Sequence, residues 1–209
     1  MPMELKVVYR ALRQISRWTV GGFYEEVYVD GIENIPKDGP LIMYVSLFLI
    51  NNPTNIIYRA CTHHNEMIDI ATLSITIPYS RHLSFWAKSS MFKNPVTAII
   101  LSSSGAIPVQ RIPNSTNGTQ QAHALLFTST IHALARSDAI GVFPEGTSYT
   151  EPCIVQVKDG ASWAGVEYVK WRVEQEKLGR EAGKDELVIV PTAIVYTDKS
   201  SYRSRVCIL

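Results

Sequence analysis

Short apolar runs alternate with stretches of helical periodicity along the chain. The apolar runs predict buried strands at residues 41–44, 83–88, 139–143 and 187–196, with a further short strand leading to Arg111. The periodicity predicts helices at residues 3–20, 70–77, 94–102, 120–135 and 160–176. We therefore expect an α/β fold, with a mixed, mainly parallel central sheet flanked by helices and an amphipathic helix at the N-terminus.

The first of these helices has two distinct faces. One face carries apolar residues at i+3 and i+4 spacing, namely Leu5, Val8, Leu12 and Ile15. Another face carries basic residues at the same spacing, with Glu4 as the opposing acid, namely Lys6, Arg10, Arg13 and Arg17. With Trp18 near its end, such a helix either rests in the interface of an anionic membrane or packs on its own domain with a solvated charged face. The pattern alone leaves both alternatives open.

Composition limits the possible classes of protein. The chain has 209 residues, of which 46% are hydrophobic, and this is enough for one domain with a substantial core. Its formal net charge of +1 argues against a nucleic-acid-binding surface. The wide spacing of the cysteines predicts reduced thiols and no metal site at Cys61, Cys153 and Cys207. The sequence shows no signal-peptide pattern and no run of about 18 apolar residues, so we expect that the chain can lie on a membrane but does not cross one.

Two polar motifs are candidates for a functional site. Phe143-Pro-Glu-Gly-Thr147 follows the apolar run 139–143, and open α/β sheets bind ligands in loops at the carboxyl ends of their strands. The motif His63-His-Asn-Glu-Met-Ile-Asp69 places His64 five positions before Asp69, so the two would lie roughly 140° apart on a helix. They can therefore meet only if His64 precedes the helix, with Asn65 as its N-cap.

Four motifs, taken in order, resemble the blocks of the glycerolipid acyltransferase superfamily. They are the segment from His64 to Asp69, Gly105-Ala-Ile-Pro-Val-Gln-Arg111, Phe143-Pro-Glu-Gly-Thr147 and Ile189-Val-Pro-Thr-Ala-Ile194. Segments such as Phe85-Trp-Ala-Lys88 and Gln156-Val-Lys-Asp-Gly160 look most like the fungal-type glycerol-3-phosphate and dihydroxyacetone-phosphate acyltransferases. The resemblance covers about residues 28–206 apart from one gap, and it rests on the order of the four blocks because each block alone is a weak signal.

This resemblance implies an acyl-CoA-dependent O-acyltransferase that acylates the sn-1 hydroxyl of glycerol-3-phosphate or dihydroxyacetone phosphate in phospholipid and triacylglycerol synthesis. It favours the membrane-surface alternative for residues 1–24, ahead of an acyltransferase domain at residues 25–209. The expected location is the endoplasmic reticulum membrane, with the active site facing the cytosol. Acyl-CoA is then a co-substrate, and no bound cofactor, metal or nucleic acid is expected.

Acyl transfer from a thioester to an alcohol requires a base that removes the hydroxyl proton. Histidine suits this role because its pKa lies near neutrality, and a carboxylate on the other ring nitrogen fixes its tautomer. We expect His64 to be the general base and Asp69 its orienting partner, since the spacing of His63 to Asp69 fits less well. The sequence has no G-x-S-x-G motif, so the acceptor is expected to attack the thioester directly, without an acyl-enzyme.

Two cations are candidates for binding the acceptor phosphate. Arg111 ends the second block and can bind phosphate bidentately, whereas Lys88 is either a second phosphate ligand or an ordinary surface cation. On the acyl-CoA side, the resemblance implies that Lys158 reaches the coenzyme A phosphates and that Pro191 shapes the wall of the acyl site.

The third block is expected to contact the acceptor's glycerol portion. Glu145 cannot pair favourably with phosphate, so we expect it to accept hydrogen bonds from the glycerol hydroxyl. Gly146 allows close backbone approach, and Thr147 adds a hydrogen-bond donor.

One segment departs from the family pattern. Residues 45–59 separate the predicted strand 41–44 from the block that contains His64, and nothing in the family corresponds to them. A retained intron or a genuine loop insertion would explain these residues. The same intron hypothesis applies after Val206, where it predicts a truncated end of the chain. A catalytically impaired, membrane-associated homologue is therefore the alternative hypothesis. A lysophosphatidate acyltransferase, or a hydrolase that activates water with the His–Asp pair, is less favoured.

Overall fold

Five helices and seven strands occupy the part of the chain that the structure describes. In this computed structural model the described residues are 3–49, 66–109, 118–144, 158–180, 186–198 and 201–209. The helices are α1 (Met3–Phe23), α2 (Glu66–Thr76), α3 (Pro95–Ser103), α4 (Gly118–Ala135) and α5 (Gly160–Lys177). The strands are β1 (Glu26–Val29), β2 (Leu41–Leu49), β3 (Leu83–Lys88), β4 (Ala106–Val109), β5 (Ala139–Val142), β6 (Val188–Tyr196) and β7 (Arg205–Ile208).

The strands form one sheet with the order β1-β7-β6-β2-β5-β3-β4. The five strands from β6 to β4 are parallel to their neighbours, whereas β7 is antiparallel to β6 and parallel to β1. The prediction of a mixed, mainly parallel sheet flanked by helices is therefore confirmed. β1 and β7 are not predicted from the sequence, because strands of four residues are too short to show a clear periodicity.

Two hydrophobic cores lie on the two faces of this sheet. α1 and α2 cover one face, and the core there includes Val20, Tyr24, Leu73 and Ile77. α4 and α5 cover the other face, and the core there includes Ala133, Leu134, Ala164 and Tyr168. Residues of β2 alternate between the cores, as the period of two in a strand requires, with Leu41, Met43 and Val45 on one side and Ile42 on the other. Burial on both faces explains why β2 begins with five apolar residues in a row, from Leu41 to Val45.

Strand β2 is longer than the sequence predicted. It was expected to end at Tyr44, but it continues to Leu49 and pairs with β6 throughout, from Leu41 opposite Val188 to Leu49 opposite Tyr196. Val45, the first residue of the segment that departs from the family pattern, is 1% exposed and belongs to the core. The first five residues of that segment are therefore part of the sheet, and residues 50–59 lie outside the described residues.

The remaining helices differ little from their predicted positions. α3, α4 and α5 begin and end within two residues of the prediction, whereas α2 begins at Glu66 instead of residue 70. Asp69 is consequently inside the helix, as expected if Asn65 precedes its first turn. In the described ranges, we find no helix that is both long enough and apolar enough to span a membrane.

Helix α1 is attached to the domain by its polar side. The Tyr9 hydroxyl accepts a hydrogen bond from the Leu83 N–H at 3.0 Å, and the Arg13 guanidinium donates to the Ile77 carbonyl oxygen at 3.3 Å. Further along the same face, Val20 is fully buried. The opposite face of α1 points away from the domain and carries the exposed apolar residues Val7, Val8, Ile15 and Trp18.

Candidate active site

The carboxyl ends of five neighbouring parallel strands form one edge of the sheet. β5 ends at Val142, which pairs with Tyr44 of β2, and β3 and β4 end near the paired residues Lys88 and Val109. β2 and β6 continue together beyond this level, from Tyr44 opposite Pro191 to Leu49 opposite Tyr196. In the sequence, His64 follows β2, Arg111 follows β4 and Glu145 follows β5, so the chain leaves each of these strands at this edge on its way to the predicted residue, and the fourth block lies within β6. Open α/β sheets bind their ligands at this edge.

Asp69 is a buried carboxylate on the face of α2 that packs against the sheet. It shares this face with Thr72 and Leu73, at the i+3 and i+4 positions, and only 1% of it is exposed. The Tyr196 hydroxyl donates a hydrogen bond to Asp69 Oδ1 over 2.7 Å. A carboxylate can be buried at acceptable cost only when it is hydrogen-bonded or paired, so Tyr196 is part of what stabilises Asp69 at this position.

Tyr196 is the last residue of β6, and aromatic and hydroxyl groups surround it. Its ring centroid lies 5.6 Å from that of Tyr24, which follows α1 in the sequence. Burial raises the pKa of Tyr196, the Asp69 charge raises it further, and a hydrogen bond with Thr72 acts in the opposite direction. Burial, followed by the Asp69 charge, also raises the pKa of Tyr24 to about 12. Both phenols therefore stay protonated in the neutral pH range.

Sequence reasoning missed both tyrosines. The signal for Tyr196 was its position at the end of an apolar run, since a buried tyrosine usually finds a partner for its hydroxyl. No local pattern links it to Asp69, because the two residues are 127 positions apart.

The end of β5 is joined to the start of α5. The Lys158 N–H donates a hydrogen bond to the Pro144 carbonyl oxygen over 2.9 Å. Pro144 is buried, whereas Lys158 is exposed. Lys158 therefore lies directly beside the point from which the third block continues, and its role towards coenzyme A stays a prediction.

Trp86 fixes the beginning of α5 against β3. Its Nε1–H donates to the hydroxyl of Thr130 on α4 at 3.2 Å, which holds the indole ring in place. A Cβ added to Gly160 would lie 2.9 Å from the indole ring, so glycine at this position permits the close approach of helix and strand. The contact places Lys158, two residues before Gly160, near the carboxyl end of β3.

Lys88 and Pro191 lie on strands that reach this edge. Lys88 is the last residue of β3 and is exposed, so it is available to an anionic ligand. Pro191 is exposed in β6 and lines an apolar cavity of about 70 Å³ together with residues of α2 such as Leu73. Ligand pockets usually exceed about 300 Å³, so this cavity alone does not hold an acyl chain.

Several predicted site residues lie outside the described residues. They are His64, Arg111, Glu145, Gly146 and Thr147. In the sequence, His64 precedes α2 by two residues, Arg111 follows β4 by two, and Glu145 follows β5 by three. Their roles, and contact between His64 and Asp69, stay predictions.

The described residues include no metal-binding cluster and one cysteine, Cys207. Within the described ranges there is no group of three His, Cys, Asp or Glu residues that could hold a metal ion. Cys207 is a free thiol in β7, and burial raises its pKa, which disfavours the reactive thiolate. Cys61 and Cys153 lie outside the described residues.

Comparisons with known proteins agree with this architecture. A family model described as Acyltransferase matches residues 26–195. The fold is similar to that of the 1-acyl-sn-glycerophosphate (LPA) acyltransferase PlsC from Thermotoga maritima, with a TM-score of 0.53 and 15% sequence identity, over 100% of this chain and 72% of that chain. At this identity the likeness concerns the fold alone. The comparison with curated proteins returned no match.

Proposed function

Because the chain belongs to the Acyltransferase family, whose model matches residues 26–195, we propose that it transfers a fatty acyl group from acyl-CoA to the sn-1 hydroxyl of glycerol-3-phosphate or dihydroxyacetone phosphate. The observation that carries the proposal is the buried, hydrogen-bonded carboxylate of Asp69 on the helix that begins two residues after His64. A buried carboxylate next to a histidine is the arrangement that a general base requires.

In the proposed mechanism His64 removes the proton from the acceptor hydroxyl as its oxygen attacks the thioester carbonyl carbon. Asp69 accepts a hydrogen bond from the other ring nitrogen, which fixes the tautomer and stabilises the imidazolium that forms. The tetrahedral intermediate then collapses, the carbon–sulfur bond breaks, and the imidazolium returns its proton to the coenzyme A thiolate. No acyl-enzyme forms, so both substrates must be bound together.

The acceptor side of the site is proposed at the ends of β3, β4 and β5. Arg111 binds the acceptor phosphate bidentately, and Lys88 adds a second positive charge from the neighbouring strand. Glu145 accepts a hydrogen bond from a glycerol hydroxyl, with Gly146 and Thr147 beside it. This assignment is supported by the pairing of β3 with β4 and β5, which brings the three strand ends together.

The acyl-CoA side is proposed next to it. Lys158 binds a phosphate of coenzyme A, and its backbone hydrogen bond to Pro144 supports a position beside the third block. Pro191 forms part of the wall of the acyl site, on β6, which is separated from β3 by two strands in the sheet order. An acyl-CoA substrate requires a positive charge near the coenzyme phosphates and an apolar wall along its acyl chain.

The test is acceptor-dependent release of coenzyme A by the purified chain, followed with a thiol reagent. We expect His64→Ala to abolish release while the circular dichroism spectrum and melting temperature stay unchanged. His132→Ala is the matched control, because His132 is an exposed histidine on α4, and it should retain full activity. Equal turnover by wild type and His64→Ala would refute the mechanism, and release without an acceptor would indicate a hydrolase.

Acceptor choice separates the proposal from its nearest alternative. The structural neighbour is a 1-acyl-sn-glycerophosphate acyltransferase, and such an enzyme takes an acceptor that already carries one acyl chain. Glycerol-3-phosphate, dihydroxyacetone phosphate and 1-acyl-glycerol-3-phosphate should therefore be compared at equal concentration with one acyl-CoA. Preference for either unacylated acceptor supports the proposal, whereas preference for the lysophospholipid favours the alternative.

A catalytically impaired homologue is the second alternative. The length of β2 decides which deletions test it. Deleting residues 45–59 would remove five residues that pair with β6, whereas deleting only residues 50–59 leaves every described β2 residue in place. Both deletions should be assayed beside the intact chain. Activity that appears only after a deletion would show that the extra segment impairs the enzyme.

We further propose that α1 and α3 dock on a membrane surface. Their exposed apolar side chains are Val7, Val8, Ile15 and Trp18 on α1 and Val96, Ile99 and Ile100 on α3, and the two helices contact each other. A helix that is apolar on nearly every side, as α3 is, is normally buried. The exposed apolar side chains on these two adjoining helices therefore favour a docking surface that is covered, and so shielded from water.

Charge favours anionic lipid as the occupant of this surface. Arg10, Arg17 and Lys93 are exposed beside it, and the only acidic residue in α1 and α3 is Glu4. α5 also has exposed apolar residues, among them Trp163, but they lie among mixed charges such as Glu167 and Lys170. Basic residues that flank an apolar face match an anionic membrane, whereas mixed charges give no such preference.

Co-sedimentation with vesicles tests this docking surface. We expect binding to vesicles that contain phosphatidylserine, weaker binding to phosphatidylcholine alone, and a several-fold loss in Ile15→Asp and Trp18→Ser. Trp163→Ser on α5 is the matched control and should bind like wild type. Equal losses in both tryptophan variants would refute the assignment to α1 and α3. Co-localisation of the tagged chain with an endoplasmic reticulum marker tests the proposed location.

A further inference from the structure

The Tyr196–Asp69 pair is built from two regular elements that hold each other. Tyr196 ends β6, where it pairs with Leu49 of β2 and Val206 of β7, so its backbone is fixed from both sides. Asp69 lies in the first turns of α2. The 2.7 Å hydrogen bond joins them across a space in which both side chains are about 1% exposed. The orientation of the carboxylate is therefore set by the sheet as well as by its own helix.

The surroundings keep the tyrosine hydroxyl a donor. Thr72 is completely buried next to it and uses its own hydroxyl to donate to the Ile68 carbonyl oxygen at 2.8 Å. Burial and the Asp69 charge raise the pKa of Tyr196, so its proton stays on the phenol oxygen at neutral pH. The tyrosine thus stabilises the ionised form of Asp69, which is the form that can orient a histidine.

We propose, resting on the function proposed above, that Tyr196 is a positioning residue which holds Oδ1 of Asp69 so that the second carboxylate oxygen is directed at the His64 imidazole. It takes no part in proton transfer and does not contact the substrate. Its effect is to limit rotation of the carboxylate and to share its negative charge. A hydrogen bond of this kind tunes the basicity of a histidine through the acid behind it.

The sign of the effect follows from the shared charge. Without the tyrosine hydroxyl, the carboxylate charge acts more fully on the imidazolium and stabilises it. The pKa of His64 should therefore rise in Tyr196→Phe, by roughly half a unit to one unit. Because catalysis needs the neutral imidazole, the acid limb of the pH–rate profile should move to higher pH, with kcat reduced about tenfold and the KM of the acceptor unchanged.

The experiment is an NMR titration of the His64 imidazole, assigned with His64→Gln, in wild type, Tyr196→Phe, Asp69→Asn and the double variant. We expect Tyr196→Phe to raise the His64 pKa in the wild-type background and to leave it unchanged in the Asp69→Asn background. Tyr168→Phe is the matched control, because it removes an equally buried phenol hydroxyl on the other side of the sheet. It should leave the titration unchanged.

Two further results decide the outcome independently of activity and of folding. If Tyr196→Phe does not fold, 3,5-difluorotyrosine at position 196 supplies a stronger donor of similar size and should lower the His64 pKa. An unchanged His64 pKa in either Tyr196 variant, or the same shift with and without the Asp69 carboxylate, overturns the inference. An inactive wild type that shows the expected titration shifts would instead refute the proposed function and leave the positioning role supported.

Discussion

The backbone of Lys158 is bonded to the backbone of Pro144: its N–H reaches the proline carbonyl oxygen over 2.9 Å. The third block leaves the sheet at Pro144, and the chain returns to the same point at Lys158. The bond uses only main-chain atoms, so the ammonium group of Lys158 is not needed to hold this geometry. Backbone and side-chain roles at this position can therefore be separated by substitution.

We predict that Lys158→Ala raises the KM for acyl-CoA about fivefold and leaves the melting temperature unchanged. The reason is that one charge-assisted contact to a coenzyme phosphate is lost while the N–H bond to Pro144 is retained. Lys158→Pro removes that N–H and should lower the melting temperature as well. Steady-state kinetics at varied acyl-CoA and thermal denaturation measure the two effects. An unchanged KM in Lys158→Ala would remove Lys158 from the acyl-CoA site.

Gly105 is a position where any other side chain would be both strained and crowded. Its φ is +89°, and a Cβ there would lie 2.8 Å from His82 Cε1 and 3.0 Å from the Leu83 carbonyl oxygen. We predict that Gly105→Ala lowers the free energy of unfolding by roughly 1–3 kcal/mol, because it combines a strained conformation with a backbone contact. Urea denaturation provides the measurement.

The control for Gly105 lies in α1. A Cβ at Gly22 would meet no atom within 4 Å, and the residue is helical. Gly22→Ala should therefore leave stability unchanged or raise it by up to about 1 kcal/mol. Equal changes in the free energy of unfolding of the two variants would show that crowding around Gly105 does not cause the loss of stability.

The strands show how much of the fold could be predicted from the sequence. Strand β3 was predicted at its observed bounds because an apolar run with clear ends is a strong local signal. β1 and β7 were missed because their pairing with each other and with β6 joins residues far apart in the chain. The continuation of β2 to Leu49 was missed for the same reason, since it depends on its register with β6.

The residues of the candidate site differ in the same way: local motifs predict some of them, and long-range packing determines the others. Asp69 was recognised from its motif, because the spacing to His64 is local information. Tyr196 was not, because its hydrogen bond to Asp69 exists only after β6 and α2 have packed. A sequence therefore shows the residues that carry a motif more readily than the residues that orient them.

Arg81 joins three loops at the amino ends of the parallel strands, opposite the candidate site. It is 7% exposed, and its guanidinium donates to the carbonyl oxygens of Pro36 at 2.8 Å, Gly39, and Ser137 at 3.0 Å. We predict that Arg81→Lys lowers the free energy of unfolding by about 2–4 kcal/mol, because a compact ammonium cannot reach three separate acceptors. Chemical denaturation measures this change.

Exposed Arg180 is the control for this charge-conserving substitution. Arg180→Lys should change stability by less than about 0.5 kcal/mol. A similarly small effect of Arg81→Lys would show that the three carbonyl contacts contribute little to the folded state.

His82 gives the protein a dependence of stability on pH. Its imidazole is partly buried against Tyr9, with ring centroids 4.3 Å apart, and Asp138 Oδ1 lies 3.6 Å from Nδ1. Burial lowers the pKa of His82 from its ordinary value of 6.5, while the Asp138 charge raises it and the Arg136 charge lowers it. The unfolded chain therefore binds a proton on this imidazole at a higher pH than the folded chain does.

We predict that the free energy of unfolding falls as the pH is lowered through about 6.5 towards the folded-state pKa of His82, because proton uptake then favours the unfolded state. His82→Phe keeps the ring against Tyr9 but cannot titrate, so its stability should fall less between pH 8 and pH 5. His132→Phe replaces an exposed histidine and should retain the wild-type dependence. Urea denaturation across this pH range provides the comparison, and identical slopes for wild type and His82→Phe would exclude His82 as the source.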